Sequence, residues 1–344
     1  MTSSRPRALV VTPAFFGYEK DIVAEFERQG FATTLLDERP SNSAFVRAIA
    51  RARKSLIGPK IDAYYRDWAS KLHDVRLDLV LVIKAEVVPR WFLEILRTTN
   101  PNARFVFYTF DAIANASNCM DVIDLFDRKV TFDRADAAEH PGFEYLPLFY
   151  PSEFRPLEGD EAERSRRYEL TFVGTLHSDR YRFVTTLSAG VSRAKNFFYV
   201  QARWYFALVK YVTREHANVR WSDVSFTPMT RAETAEAFRN SVAVLDMQRN
   251  GQTGLSMRTF EVLASGAMLV TTNSAITHES FYDPARIIVV SSTPTSEDRR
   301  RVRRLIESAR PAGSLDGVEQ HSIENWVSRL ASAKDLSRVD RTSR

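Results

Sequence analysis

The sequence predicts an α/β protein made of two Rossmann-like halves, and three observations carry that prediction. Short apolar, β-rich runs alternate with helix-like patterns along most of the chain, as in parallel sheets covered on both faces. The alternation breaks once, at the proline-marked, charged stretch YPSEFRPLEGDEAERSRRYE (150–169), and then restarts. A length of 344 residues is long for one core and suits two domains of ordinary size.

The first half opens with ALVVTP (8–13) as a strand. The loop AFFGYEK and a helix DIVAEFERQG closing at Gly30 follow, and ATTLLDE is a second strand. A long polar, basic helical region (about 44–75) leads to strand LDLVLVI (77–83), a short helix from Pro89, and strands ARFVFYTFD (103–111), RKVTFD (128–133) and FEYLPLF (143–149). In the second half, YELTFVGTL (168–176) is a strand, with a helix from about Ser178. KNFFYVQARWYFALVKYVTR (195–214) reads as one helix, ANVRWSD (217–223) as a strand and RAETAEAFRNS (231–241) as an amphipathic helix. VAVLDM (242–247), MLVTTN (268–273) and RIIVV (286–290) are strands, with a helix at 257–265. SEDRRRVRRLIESA (296–309) is a basic helix and HSIENWVSRLASA (321–333) a last amphipathic one. The domain boundaries so read are 1–155, 156–320, a terminal helix 321–335 and a tail 336–344. Two such halves put a ligand cleft between them, at the carboxyl ends of the strands.

Composition narrows the function classes. With 44% hydrophobic and 12% aromatic residues, both halves can bury a core. The polar start MTSSRPR lacks the apolar core of a secretory signal, and no uncharged apolar stretch reaches the roughly 18 residues of a membrane span. One cysteine, Cys119, fits a reducing compartment; the expected location is cytoplasmic. A net charge of +5 favours anionic partners, but zinc-finger, RNP and basic-zipper patterns are missing, so nucleic acid is not expected. The oligomeric state is open.

Four segments hold candidate chemistry. In GLSMRTFEVLASGAMLVTTN (254–273), Arg258 and Glu261 share a helix face, being three residues apart. Gly251 and Gly254 let the preceding loop bring N–H groups close to a ligand, and the helix N-terminus favours an anion. A diphosphate beside a ribose needs such an arrangement, although a surface ion pair would leave the same trace. In GTLHSDRYR (174–182), Gly174 permits close backbone approach, while His177, Ser178 and Arg180 can reach phosphate oxygens; a solvated loop, and for a lone histidine a capping or packing role, are the alternatives. Asp111 ends a strand and could act as general base on an acceptor hydroxyl, bind the acceptor, or cap the following turn; Asp133 is a similar, weaker case. Phe16 and Gly17 in the first loop offer a platform for a sugar ring or simply buried aromatics. An Asp-x-Asp pair at a strand end and a His/Cys cluster are both missing, so neither metal nor cofactor is expected. As a helix, 195–214 is apolar over most of its circumference with its cations in an arc of about 100°, which suits an interfacial membrane helix or a core helix.

The segment SMRTFEVLASGAMLVTTN is similar to the R-x-F-E-x-L-A-x-G stretch of CgeB-like and related group 1 glycosyltransferases of the GT-B fold. FVFYTFDAIANASN, VTFDRADAAEH, YLPLFY and LTFVGTLHSDRYRF resemble bacterial polysaccharide-biosynthesis proteins of the same group, so the resemblance runs from about 103 to 273. It implies two facing Rossmann-like domains, a nucleotide-sugar donor, and a capsule, lipopolysaccharide or spore-coat glycan or lipid-linked acceptor. Lipid-linked acceptors imply peripheral membrane contact through 195–214. The resemblance also gives Glu261 the donor ribose, Arg258 the diphosphate region, Arg180 the leaving diphosphate, with Arg182 second, and the terminal helix a return to the first domain. Many relatives carry a sugar-contacting glutamate eight residues before the ribose-binding one; here that position is Thr253, beside Gln252, which leaves the donor sugar open. A non-catalytic scaffold and a nucleotide-sugar epimerase or phosphorylase of the same fold are the competing readings.

Overall fold

The computed structural model describes residues 5–40, 58–115, 117–156, 166–177, 179–248, 253–308 and 314–332. Its described residues form two compact units. Unit 1 holds those up to Leu148, residues 253–254 and those from Ile323; unit 2 holds the rest, Phe149 to Ser322.

Unit 1 is a six-stranded parallel sheet of β1 (Arg7–Thr12), β2 (Ala32–Asp37), β3 (Leu79–Ile83), β4 (Arg104–Thr109), β5 (Arg128–Thr131) and β6 (Phe143–Tyr145), in the order β2-β1-β3-β4-β5-β6. β3, LVLVI, is buried along its whole length, which is why it reads as a continuous apolar run. The crossovers use α1 (Tyr18–Arg28), α2 (Gly58–Leu72), α3 (Arg90–Thr99) and α4 (Arg134–Glu139). Their apolar faces, including Phe26, Tyr65, Phe92 and Leu96, are buried. The terminal helix, Ile323–Ala331, also belongs here: Trp326 is 1% exposed and meets Tyr108 edge-on at 4.9 Å, and Gln29 Nε2 donates to the Glu324 carbonyl at 2.8 Å.

Unit 2 repeats the plan with β7 (Tyr168–Thr175), β8 (Ala194–Tyr199), β9 (Val224–Ser225), β10 (Ser241–Asp246), β11 (Met268–Thr271) and β12 (Ile287–Val289), ordered β12-β11-β10-β7-β8-β9 and parallel throughout. Its helices are α5 (Arg180–Ser188), α6 (Arg203–Ala207), α7 (Arg231–Arg239), α8 (Met257–Ala264) and α9 (Ser296–Ser308), which makes the terminal helix α10. α7 starts in a full capping box: Glu233 N–H donates to Thr230 Oγ1 at 3.2 Å, and Thr230 N–H to Glu233 Oε2 at 2.7 Å. Thr230→Ala is expected to lower stability by about 1 kcal/mol, read from the urea midpoint; an unchanged midpoint would mean that the box adds nothing in solution.

Two expected elements differ. The segment 195–214 is not one helix: its first quarter belongs to β8, paired with β7 from Leu170↔Ala194 to Thr175↔Tyr199, followed by the short α6 and a π-helical turn, Leu208–Val212. The run KNFFYV is apolar enough for either structure, and pairing to the central strand decides for β. The expected strand 217–223 ends instead in a 3₁₀ turn, Trp221–Asp223, and the edge strand β9 forms just after it. Of the basic region at 44–75, residues 58–72 form α2, and 44–57 lie outside the described residues.

Candidate active site

In each sheet the strand order reverses once, between β1 and β3 in unit 1 and between β7 and β10 in unit 2. Open α/β sheets bind ligands beyond the carboxyl ends of the strands at such reversals.

In unit 2 this place is occupied by Arg180, Asp246 and the start of α8. Arg180, the first residue of α5, donates from Nη1 to the Thr175 carbonyl at 2.9 Å and from Nη2 to that of Met247 at 3.0 Å, bracketing the ends of β7 and β10. It is 8% exposed. Its guanidinium lies 5.7 Å from the centre of the Phe172 ring, and that of Arg258 lies 5.9 Å from the same ring, so two cations flank one aromatic. Gly174 makes this possible: a Cβ there would come within 2.8 Å of the Phe172 ring and 3.5 Å of Arg180 Nη1.

Asp246, at the end of β10, is the functional candidate that the sequence reading missed. It is 3% exposed; Oδ1 lies 3.3 Å from Arg258 Nη1, and Oδ2 accepts from Ser256 Oγ at 3.0 Å and from Thr259 Oγ1 at 3.4 Å. One carboxylate thus fixes the cation and both hydroxyls of the first turn of α8. The signal was available, since an aspartate ending an apolar strand had singled out Asp111 and Asp133. Arg258 is oriented by Asp246, and Glu261, one turn on, is buried at 5% exposure. His177 is half-buried and its carbonyl accepts the Arg180 N–H at 3.2 Å. Arg182 is exposed and lies 3.4 Å from Asp179. Ser178 and Gln252 lie outside the described residues.

Thr253 and Gly254 stand elsewhere. Thr253 Oγ1 donates to Asp133 at 2.6 Å, and the Gly254 N–H donates to Asp133 Oδ2 at 2.8 Å. Gly254 lies against Phe132, whose ring a Cβ would approach to 2.3 Å. Asp133 also caps α4 through the Ala135 N–H and is 1% exposed. In this structure its carboxylate holds the 253–254 loop and a helix end, and the Gly254 amide points at a carboxylate.

In unit 1, β1 is followed by Phe16, left-handed at φ 53 and 82% exposed, and by Gly17, left-handed at φ 86, from which α1 starts. Phe15 stacks on Phe110 with ring centres 5.6 Å apart. β3 is followed by two further left-handed residues, Lys84 (φ 78) and Ala85 (φ 53). Such conformations cost on the order of 1 kcal/mol each and concentrate at functional sites. Lys84 Nζ lies 2.5 Å from Asp111 Oδ2 and 4.0 Å from Glu86, and Arg39 pairs with Glu86. Beneath them Glu38 is fully buried: Oε2 accepts the Glu86 N–H at 3.3 Å, and Oε1 has no hydrogen-bond partner among the described residues. Burial pushes its carboxyl up to about 8, against the opposing pull of Arg39 and Lys84. Asp111 remains the exposed end of this chain of charges, its side chain 43% accessible. Among the described residues no three His, Cys, Asp or Glu side chains converge as a metal site.

Residues 193–324 match a protein-family model described as glycosyl transferase-like. Among curated proteins none matches the chain. The HepE protein of Anabaena, solved with UDP and glucose, is 10% identical with a TM-score of 0.59, over 94% of this chain and 95% of that one. Sucrose-phosphate synthase of Thermosynechococcus elongatus is 9% identical at 0.59, over 95% of each chain. The chain has the GT-B fold. UDP-GlcNAc 2-epimerase of Methanocaldococcus jannaschii is 8% identical at 0.50, over 94% of this chain and 98% of that one, so non-transferase chemistry also occurs among similar structures. Within the GT-B chain, the glycosyl transferase-like match covers β10, α8 and β11, and therefore Asp246, Arg258 and Glu261.

Proposed function

We propose that this GT-B chain is a nucleotide-sugar glycosyltransferase of the CgeB-like group. It moves a sugar onto a growing bacterial surface glycan, or onto a lipid-linked acceptor at the inner face of the plasma membrane, without a metal ion. The observation that carries this reading is the convergence of Arg180 and Arg258 at the strand-order reversal of unit 2, with Arg258 oriented by Asp246 and Glu261 buried on the same helix. Glu261 holds the ribose hydroxyls of the donor. Arg258 and the start of α8 receive the diphosphate, and their charge stabilises it as the bond to the sugar breaks. Arg180, already bound to two carbonyls, acts on the leaving diphosphate from a fixed position, so that little reorganisation accompanies the reaction. Asp111, ion-paired to Lys84, accepts a hydrogen bond or a proton from the acceptor hydroxyl, and Phe16, edge-on to Phe15, which itself stacks on Phe110, offers a face for a sugar ring.

The test is a thermal-shift panel of UDP, GDP, ADP, CMP and dTDP on the wild type, Glu261→Ala and the isosteric Glu261→Gln. A nucleotide at 100 times its Kd adds about 2.7 kcal/mol, so one of the five is expected to raise Tm in the wild type and fail to do so in Glu261→Ala. A shift kept by both variants would remove Glu261 from the site. No shift with any nucleotide would favour the non-catalytic scaffold. A nucleotide-dependent shift accompanied by conversion of the donor sugar without transfer would favour an epimerase.

A further inference from the structure

Ten large apolar side chains stand exposed among the described residues, and six of them fall between 204 and 221: Trp204, Tyr205, Leu208, Tyr211, Val212 and Trp221. Single exposed apolar residues are ordinary, but a cluster marks a surface that something covers. Trp204, Tyr211 and Val212 are 69%, 61% and 70% exposed, so they stand out from the surface.

The segment is held firmly from below. Phe206 and Val209 are buried in the unit 2 core, and the Phe206 ring meets Trp221 edge-on at 4.8 Å. Lys210 Nζ donates to the Ala217 and Val219 carbonyls, each at 2.7 Å, and Trp221 Nε1 donates to Tyr211 Oη at 3.0 Å. With 206 and 209 facing inward, 204, 208, 211 and 212 take the outer face of α6 and the π turn, at spacings that bring them together. Because the chain around them is already ordered, these side chains reach a partner without the cost of folding a loop.

The charge around this face selects the partner. Between 203 and 223 stand Arg203, Lys210, Arg214 and Arg220 against Glu215 and Asp223, and Asp223 is engaged by Arg220 at 3.2 Å. Arg203 and Arg214 are exposed beside the apolar cluster. A second copy of the chain would bring the same cations against themselves, within a chain whose net charge is +5. Tryptophan, tyrosine and arginine around short aliphatics match the depth profile of a bilayer interface, where amphipathic rings sit at headgroup level and cations meet lipid phosphates. No helix among the described residues is long and apolar enough to cross a membrane.

We infer that the 203–212 face docks the chain on a bilayer containing anionic phospholipid, with Trp204, Leu208, Tyr211 and Val212 entering the headgroup region and Arg203 and Arg214 at the phosphates. The surface lies on unit 2 and uses no residue assigned to the donor or the acceptor; the inference rests on the proposed placement at the membrane and deepens it by naming the side chains and the lipid charge that hold the chain there.

The test is co-sedimentation of the full chain, without nucleotide, with phosphatidylcholine vesicles with and without phosphatidylglycerol. The proteins are wild type, Trp204→Ser/Val212→Ser and Arg203→Glu/Arg214→Glu. Wild type is expected to bind the anionic vesicles, to bind less at high salt, and to lose about tenfold or more of its partitioning in either double variant. All four positions are exposed, so the variants are expected to keep the wild-type Tm. Equal binding of wild type and the serine variant, equal binding to both vesicles, or no binding at all would each overturn the inference. So would a wild-type dimer in solution that the serine variant abolishes, which would assign the face to a second copy. Vesicle binding and the nucleotide panel are read separately, so either can fail alone.

Discussion

Glu38→Gln is expected to stabilise the protein at pH 8 by on the order of 4 kcal/mol while changing little near pH 4.5. The carboxyl is fully buried and rises from an ordinary 4.5 to about 8, with desolvation the largest cause. The charged groups facing it are Arg39 and Lys84, which favour ionisation, and Glu86, which opposes it. Between pH 4.5 and 8 the folded chain keeps a proton that the unfolded chain releases. The contribution of this group to stability is therefore complete below about 4.5 and is lost as pH rises to about 8. Glutamine has the same shape and no proton to lose, so its advantage grows across that window. Urea denaturation of both proteins at pH 5, 6.5 and 8 checks this. Parallel curves at all three would show that Glu38 is not held protonated.

Asp246→Ala is expected to cost about 3 kcal/mol and to abolish any nucleotide-dependent rise in Tm. The carboxylate is 3% exposed and meets Arg258, Ser256 and Thr259. Its loss leaves a half-buried guanidinium and two hydroxyls without that acceptor. The Arg258 side chain is about a quarter exposed, so water screens part of the penalty, which places the cost at the lower end for a broken buried pair. Asp246→Asn keeps the shape and the hydrogen-bonding oxygen and is expected to lose less stability than alanine while still loosening Arg258. Urea midpoints give the stability, and the nucleotide panel gives the function. A variant that binds nucleotide as the wild type does would remove Arg258 from the donor site.

The sequence made most of the fold legible for a specific reason. Strands of a parallel sheet are buried on both faces, so LVLVI, VAVLD and MLVT appear as uninterrupted apolar runs, separated by helices whose apolar residues recur on one side. α8 was equally plain, because its apolar residues recur on one side and the small-residue stretch 265–267 separates it from the apolar run of β11. The failure at 195–214 came where periodicity is silent: an aromatic-rich run suits a strand or a helix, and only hydrogen bonding to β7 made its beginning a strand. The same partnership turned a supposed long amphipathic helix into a short exposed turn, and its apolar side chains into a surface cluster.

Residue types and strand ends were enough to single out Asp111, Arg180, Arg258 and Glu261. What each touches was not legible. Arg180 bridges Thr175 to Met247, Asp246 lies twelve residues before Arg258, Asp133 holds Thr253 from 120 residues away, and Lys84 reaches Asp111 across neighbouring strands. The sequence alone determined the α/β class, the order of most elements and the strand ends at which chemistry could collect, because backbone periodicity and burial are local properties. Tertiary structure alone decided which charges pair, that Glu38 is sealed beneath them, and that Asp246 orients Arg258, because strand order sets which loop ends become neighbours, and desolvation depends on everything packed around a group.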